Sequence, residues 1–258
     1  MKVPILLYHA IFENELNREK YAINRTEFEQ QMKYLLEYGF QSLLLEDFFK
    51  TNDVVNNNKK PVIITFDDGN YSDFSLAFPI LKKYGLIATF FVTVSNIGNK
   101  NYVSWQDLRE MKAANMAIQS HSLNHFFLSD LKEESIFKEL NESKRVLENM
   151  LKGDVRFISL PGGFFSRKVL NMAKNIGYRG VCSSIPGINI LDGETREFAV
   201  FNRFLITRGI SIGKFKPIVN GNWKYRAECK IQYYIKAGMK KILGSQRYYS
   251  LWFKFFRE

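Results

Sequence analysis

Two stretches of this 258-residue chain set chemically potent side chains next to one another. After the apolar run Val62-Ile63-Ile64 comes Thr65-Phe66-Asp67-Asp68-Gly69, and after Ala117-Ile118-Gln119-Ser120 comes His121-Ser122-Leu123-Asn124-His125. Two adjacent carboxylates that end a buried strand are costly unless something pairs them, and a bound cation would do so. Two imidazoles four residues apart converge on one metal if the turn between them is helical. The chain has only three histidines, and two of them lie here. One carboxylate with two imidazoles leaves positions open for water and substrate. Asp68, His121 and His125 are therefore the expected ligands. Asp67, beside the ion rather than on it, is the expected general base. A plainer reading makes the aspartates helix caps and the histidines ordinary polar residues. It serves for either stretch alone, but poorly for both at successive strand ends.

The elements that must position these groups follow from the hydrophobic pattern. Apolar runs at residues 3–9, 41–45, 61–66, 87–92, 117–121, 156–160, 180–182 and 202–207 read as strands. Helical patterns cover 25–38, 72–84, 105–114, 133–151 and 166–176. Thr26 with Glu29 fits a capping box, and Gly39 and Gly85 stand where helix C-caps fall. Apolar strands alternating with helices mean a parallel sheet covered on its outer side. Seven or eight such units in about 210 residues favour a (β/α) barrel over an open sheet. Either architecture puts its chemistry at the C-terminal ends of strands, where both stretches lie.

Composition narrows the class. A hydrophobic fraction of 46% with 24% charged residues argues against disorder, collagen and coiled coil. Two distant cysteines, Cys182 and Cys229, argue against a disulfide framework or a cysteine zinc site. The apolar N-terminus reads as a buried strand rather than a secretion signal. Pro4 and His9 interrupt it, and Glu13 follows with no small-residue cleavage site. The uncharged stretch 84–99 is too short and too polar to span a bilayer. A cytoplasmic location is expected, with peripheral placement on the inner face of the cell membrane if the tail binds there.

The two motifs in this order, with Trp105 opening the segment before the histidines, resemble the polysaccharide deacetylase family (the NodB-homology, carbohydrate esterase 4 group) across residues 1–210. The resemblance implies an α/β fold, a distorted (β/α)7 barrel. It also implies metal-dependent removal of N-acetyl groups from amino sugars in glycans, with Asp67 as base and Asp68, His121 and His125 as ligands. Zinc is the expected ion for these donors, and cobalt, nickel and iron also suit N/O sites. The family's third motif is usually R-x-P-x-G; here it reads Ser159-Leu160-Pro161-Gly162-Gly163. Pro161 and Gly162 remain, and the backbone N–H of Gly162 stands where the family helps hold the oxyanion. The arginine that orients the base is replaced by Ser159, which leaves Arg203 or Arg179 to supply its charge from another strand. The acidic-aromatic fourth motif is unmatched at residues 180–184, and no histidine follows His125 to supply the fifth, Leu-x-His. Leu7-Tyr8-His9, however, ends the first strand with that same pattern. First and last strands of a closed barrel are neighbours, so circular permutation moves the motif without moving it in space. Some deacetylases of bacterial exopolysaccharide systems are permuted in this way. His9, protonated near neutral pH, is then the expected acid to the leaving amine, with Leu7 lining the acetyl pocket. The alternative is a strand-end histidine bonded to backbone.

Charge is unevenly placed. Residues 209–258 carry eleven basic and two acidic residues, a net +9, whereas the first 208 carry +2. This basic, aromatic segment, 211–258, is expected as a helical tail to the barrel at 1–210. Three readings stay open: an amphipathic helix on an anionic membrane surface, a helix packed on the barrel, or binding of single-stranded nucleic acid. No RNA-binding motif accompanies it, so no nucleic-acid partner is expected. The leading functional expectation is a deacetylase of N-acetylated amino-sugar glycans, polymeric or lipid-linked. A degenerate barrel that binds glycan, or a scaffold in polysaccharide synthesis, is the alternative suggested by the altered third and fourth motifs.

Overall fold

The chain opens with strand β1 (Lys2–Tyr8), followed by β2 (Ile11–Phe12) and β3 (Ile23–Asn24), which pair in parallel as a small separate sheet. Helix α1 (Arg25–Glu37), β4 (Phe40–Leu43), β5 (Lys60–Phe66), α2 (Phe78–Lys83) and β6 (Thr89–Val92) come next. Then come α3 (Trp105–Ala113), β7 (Ala117–Ser120), α4 (Glu133–Leu151), β8 (Phe157–Ser159), α5 (Arg167–Ile176) and β9 (Gly180–Cys182). Strands β10 (Ile188–Ile190), β11 (Ala199–Phe201) and β12 (Phe204–Leu205) precede helices α6 (Ile212–Val219) and α7 (Trp223–Leu243). This computed structural model describes residues 1–13, 21–50, 55, 58–163, 165–191 and 197–243, so residues 244–258 of the basic tail lie outside the described residues.

The strands form a nearly closed, barrel-like sheet, as expected for a (β/α)7 barrel. The order runs β10-β1-β5-β6-β7-β8-β9-β11, with β4 also on β5 and β12 also on β1. Apart from the antiparallel pair β1–β10, the described pairings in this sheet are parallel. The seam matters most for function. Strand β11 pairs with β9 at one margin and β12 pairs with β1 at the other, and only Asn202 and Arg203 separate them. That short stretch carries the chain across the gap between first and last strands.

Side chains divide by the two-residue period of a strand. Val3, Ile5, Ile63, Phe91, Phe157, Cys182 and Phe201 fill the barrel interior as one cluster. Their neighbours Leu6, Tyr8, Ile64, Phe66, Phe90, Ile118, Ile158 and Val181 face outward, against Phe28, Met32 and Leu35 of α1 and the apolar stripes of the other helices. Both faces are covered, which is why the strands read as continuous apolar runs.

Three local expectations change. The cap of α1 is Asn24, whose side chain accepts from Thr26 N at 2.8 Å, so the Thr26–Glu29 box is out of frame. Glu29 instead binds Lys83 Nζ at 2.6 Å, between α1 and α2. The helix expected over 72–84 begins as a π-helical turn, Asp73–Ala77, before α2. Pro79 sits directly after that π-helical turn and offers no N–H to the carbonyls of the turn before it. Packing also continues past residue 210: Phe215, Ile218 and Val219 of α6 are buried in the outer core. Gly39 and Gly85 do follow helix ends, both left-handed at φ 73° and 62°.

Candidate active site

Two buried charges organise the C-terminal end of the barrel. Asp67 follows β5 directly, and Arg203 lies in the seam; their side chains are 4% and 0% exposed. The guanidinium meets the carboxylate with both arms, Nη1 to Oδ1 and Nη2 to Oδ2, each at 2.8 Å. Its other donors reach Ser183 O (2.9 Å), Thr65 Oγ1 (3.3 Å) and Ser159 Oγ (2.8 Å), so all five N–H groups have acceptors. Ser159 donates in turn to Asp67 Oδ2 at 2.8 Å. Burial works to raise the Asp67 pKa, but Arg203, His121 and His9 together outweigh it and hold the carboxyl below its usual range. Of the two arginines expected from the sequence, then, Arg203 clamps the expected base, Asp67. Arg179 binds Glu46 at 2.9 Å and stacks over Phe49 instead.

The next residue, Asp68, turns away from the strand with φ 76° and presents Oδ1 to two imidazoles. His121 Nε2 lies 3.2 Å from that oxygen and His125 Nε2 lies 3.3 Å from it. The three donor atoms all fall within 4.8 Å of one another. A tetrahedral ion with bonds of about 2.05 Å would separate its ligand atoms by about 3.3 Å, so the spacing around Asp68 fits a divalent cation. Burial tends to raise the Asp68 pKa, but the hydrogen bonds from both histidines outweigh it and hold it well below the usual range. For His121 burial pushes downward, and the charges of Asp67 and Asp68 carry it above the ordinary value. His121 Nδ1 lies 2.8 Å from Ser159 O. A carbonyl can only accept, so Nδ1 carries a proton and Nε2 is the nitrogen turned to the carboxylate. Ser159 therefore touches both the base and a ligand.

The two histidines do not meet across a helical turn, as the spacing suggested. Ser122 and His125 are left-handed, with φ 66° and 60°, and the loop between them is irregular. What holds it is Glu139 on α4, buried and outside the sequence-derived set. Its Oε2 accepts from Leu123 N (3.0 Å) and Asn124 N (2.8 Å), and Oε1 accepts from Asn124 Nδ2 (2.7 Å). Glu139 falls beside Ile136, Leu140, Ser143 and Leu147 on the buried stripe of α4. An acid on an inward helix stripe was the available signal.

His9 comes straight after β1, whose end is tied to the base by Asp67 N donating to Tyr8 O at 3.0 Å. Its ring stacks on Tyr21, centroids 5.3 Å apart, and its buried Nδ1 has no hydrogen-bond partner. Burial lowers its pKa, and the carboxylates of Asp68 and Asp67 offset this only in part. Burial thus works against the charged ring that the sequence reading assigns to His9. Leu7 is buried with the interior parity of Val3 and Ile5. Pro161 and Gly162 form a turn directly beyond β8, with Gly162 left-handed at φ 68° and ψ 0°.

A family model described as polysaccharide deacetylase matches residues 54–181. The match takes in Asp67, Asp68, His121, His125, Pro161 and Gly162, but neither His9 nor Arg203. YxkH of Bacillus subtilis (strain 168), which has polysaccharide deacetylase in its name, is 33% identical over 190 residues, 72% of this chain and 66% of that protein. A poly-beta-1,6-N-acetyl-D-glucosamine N-deacetylase of Staphylococcus aureus (strain NCTC 8325 / PS 47) is 27% identical over 182 residues, 65% of this chain and 63% of the relative. The chain thus spans slightly under two thirds of the length of these curated relatives. The structure of Streptococcus pyogenes deacetylase PplD in complex with acetate matches with a TM-score of 0.76 and 27% identity, covering 85% of this chain and 98% of that one.

Two expected outcomes follow from the geometry. Asp67, with its folded pKa depressed, contributes stability that is complete above its unfolded value of about 3.9 and is lost as pH falls through the folded value. Arg203→Lys keeps the charge but loses the fork, so acid unfolding followed by far-UV circular dichroism should begin at a higher pH than in the parent. Glu139→Ala strands two backbone N–H groups at a cost of about 1–3 kcal/mol and frees the His125 loop. Titrating metal-stripped protein with cobalt should show affinity lowered on the order of 10–100-fold.

Proposed function

The chain belongs to the polysaccharide deacetylase family, and on that premise we propose that it hydrolyses N-acetyl groups of amino sugars in a bacterial glycan. The observation that carries this reading is a carboxylate-imidazole-imidazole cluster beside a second, arginine-clamped carboxylate at the C-terminal ends of β5 and β7. Deacetylases of this family are metal-dependent, and the chain has a group able to hold the ion. Zinc is the ion we propose from the donor set. Held by Asp68, His121 and His125, it would supply Lewis acidity toward the acetyl carbonyl and lower the pKa of water.

The remaining steps belong to the chain's own residues. Asp67, fixed by Arg203 and Ser159, takes a proton from the attacking water as its oxygen bonds to the acetyl carbon. The Gly162 N–H, on the left-handed turn beyond β8, donates to the carbonyl oxygen as charge develops there. Leu7 faces the acetyl methyl. When the C–N bond breaks, His9 gives a proton to the sugar nitrogen, leaving acetate and a free amine. Its place on β1, beside the strand of Asp67, supports the permuted arrangement. The alternative of a degenerate glycan binder rested partly on the arginine missing at Ser159, and Arg203 removes that ground.

The test is acetate release from N-acetylglucosamine oligomers by protein stripped of metal and reloaded with zinc or cobalt. Release should depend on the ion and fall on the order of 10²–10⁴-fold in Asp67→Asn, with metal still bound. That variant leaves Arg203 buried without its counter-charge and should lose about 3 kcal/mol of stability, so its folding is measured alongside. Stoichiometric metal without any release would defeat the proposal.

The acid role makes its own demand on pH. A proton donor works below its pKa, and burial sets that of His9 under the ordinary histidine value of about 6.5. The alkaline limb of the kcat/KM profile should therefore fall below that pH. His9→Gln should abolish the limb and slow turnover; unchanged turnover would refute the assignment.

A further inference from the structure

Helix α7 has one face turned to the protein and another that nothing covers among the described residues. Asn222 starts it, accepting at Oδ1 from Lys224 N (3.0 Å) and Tyr225 N (3.2 Å). Tyr225, Cys229 and Tyr233, four residues apart, are half-buried, and Tyr225 packs against the outer core. At about 100° per residue, Trp223, Ala227, Ile231, Tyr234 and Ile235 gather on the opposite side, within about a third of the circumference. All five are exposed, and the four large ones expose 58–66% of their surface. Elsewhere among the described residues, large exposed apolar side chains do not gather into such a stripe on a single helix. Lys224, Arg226 and Lys230 stand among and beside them, in a segment of net charge +9.

We propose that α7 lies in the surface of an anionic lipid bilayer, its apolar face in the boundary between headgroups and acyl chains. Tryptophan and tyrosine with isoleucine suit that boundary, and lysine and arginine suit lipid phosphates and carboxylates. Self-association through the same face would bring two segments of +9 together, which like-charge repulsion opposes. A nucleic acid has no use for Ile231 and Ile235 beside the aromatics. Among the described residues no helix is long and apolar enough to cross a membrane, so the helix lies on the surface rather than through it. The placement extends the deacetylase reading without depending on it: it would hold the barrel beside glycan carried on lipid.

The experiment is co-sedimentation of the full chain with vesicles of phosphatidylglycerol and phosphatidylcholine, and with phosphatidylcholine alone. Binding should favour the anionic vesicles, weaken with salt, and drop on the order of tenfold or more in Ile231→Glu/Ile235→Glu. Acetate release from a soluble oligomer should be unchanged in that variant. Equal binding to both vesicle types, no binding to either, or a dimer in solution that the double substitution dissociates would each overturn the proposal. Because binding is read without turnover, failure of the deacetylase assay leaves this result intact.

Discussion

The buried ion pair between Asp67 and Arg203 is the constraint around which the rest of the site is arranged. Removing two charges from water costs several kcal/mol per ion, and only near-complete pairing recovers it. Here the recovery is close to full: the fork, two hydroxyls and a backbone carbonyl satisfy every guanidinium donor. The hydroxyls are themselves committed, Thr65 to Leu6 O and Ser159 to Asp67. The carboxylate that results is charged, oriented and unable to rotate. An exposed aspartate would be charged too, but neither oriented nor fixed.

From that pair the arrangement spreads to the ends of β5, β7 and β8. Asp68 leaves β5 through a left-handed residue, so two consecutive aspartates face different partners. Ser159, at the end of β8, contacts Asp67 through its hydroxyl and His121 through its carbonyl, coupling base and ligand through one residue. The irregular histidine loop is fixed by the three hydrogen bonds of Glu139. Polar groups in this region are held by polar groups, and the hydrophobic layers beneath supply only the platform.

Much of this was legible in the sequence, because it rests on local patterns. Apolar runs ending in Asp67-Asp68 and His121 revealed the strands, the parallel sheet and the facing of the ends. What needed the third dimension was contact between distant residues. Ser159 alone gave no sign that an arginine 44 residues on would take over the orienting charge, and the sequence left Arg179 equally eligible. Glu139 looked like one more acid on an amphipathic helix, since periodicity reports burial but not what a buried carboxylate bonds. The helical turn inferred between the histidines failed for a related reason. Spacing allows convergence by several backbone paths, and left-handed Ser122 and His125 take one that spacing does not encode. The protonation of His9 also depended on burial that only assembly creates.

The seam has a further meaning in time. The ion's expected ligands span residues 68 to 125, a contiguous block of strands, whereas the partner of the base arrives with residue 203, as the chain crosses from β11 to β12. A growing chain thus holds all three expected ligands 78 residues before it acquires the arginine that orients Asp67. On the proposed reading, turnover waits on the circle being joined.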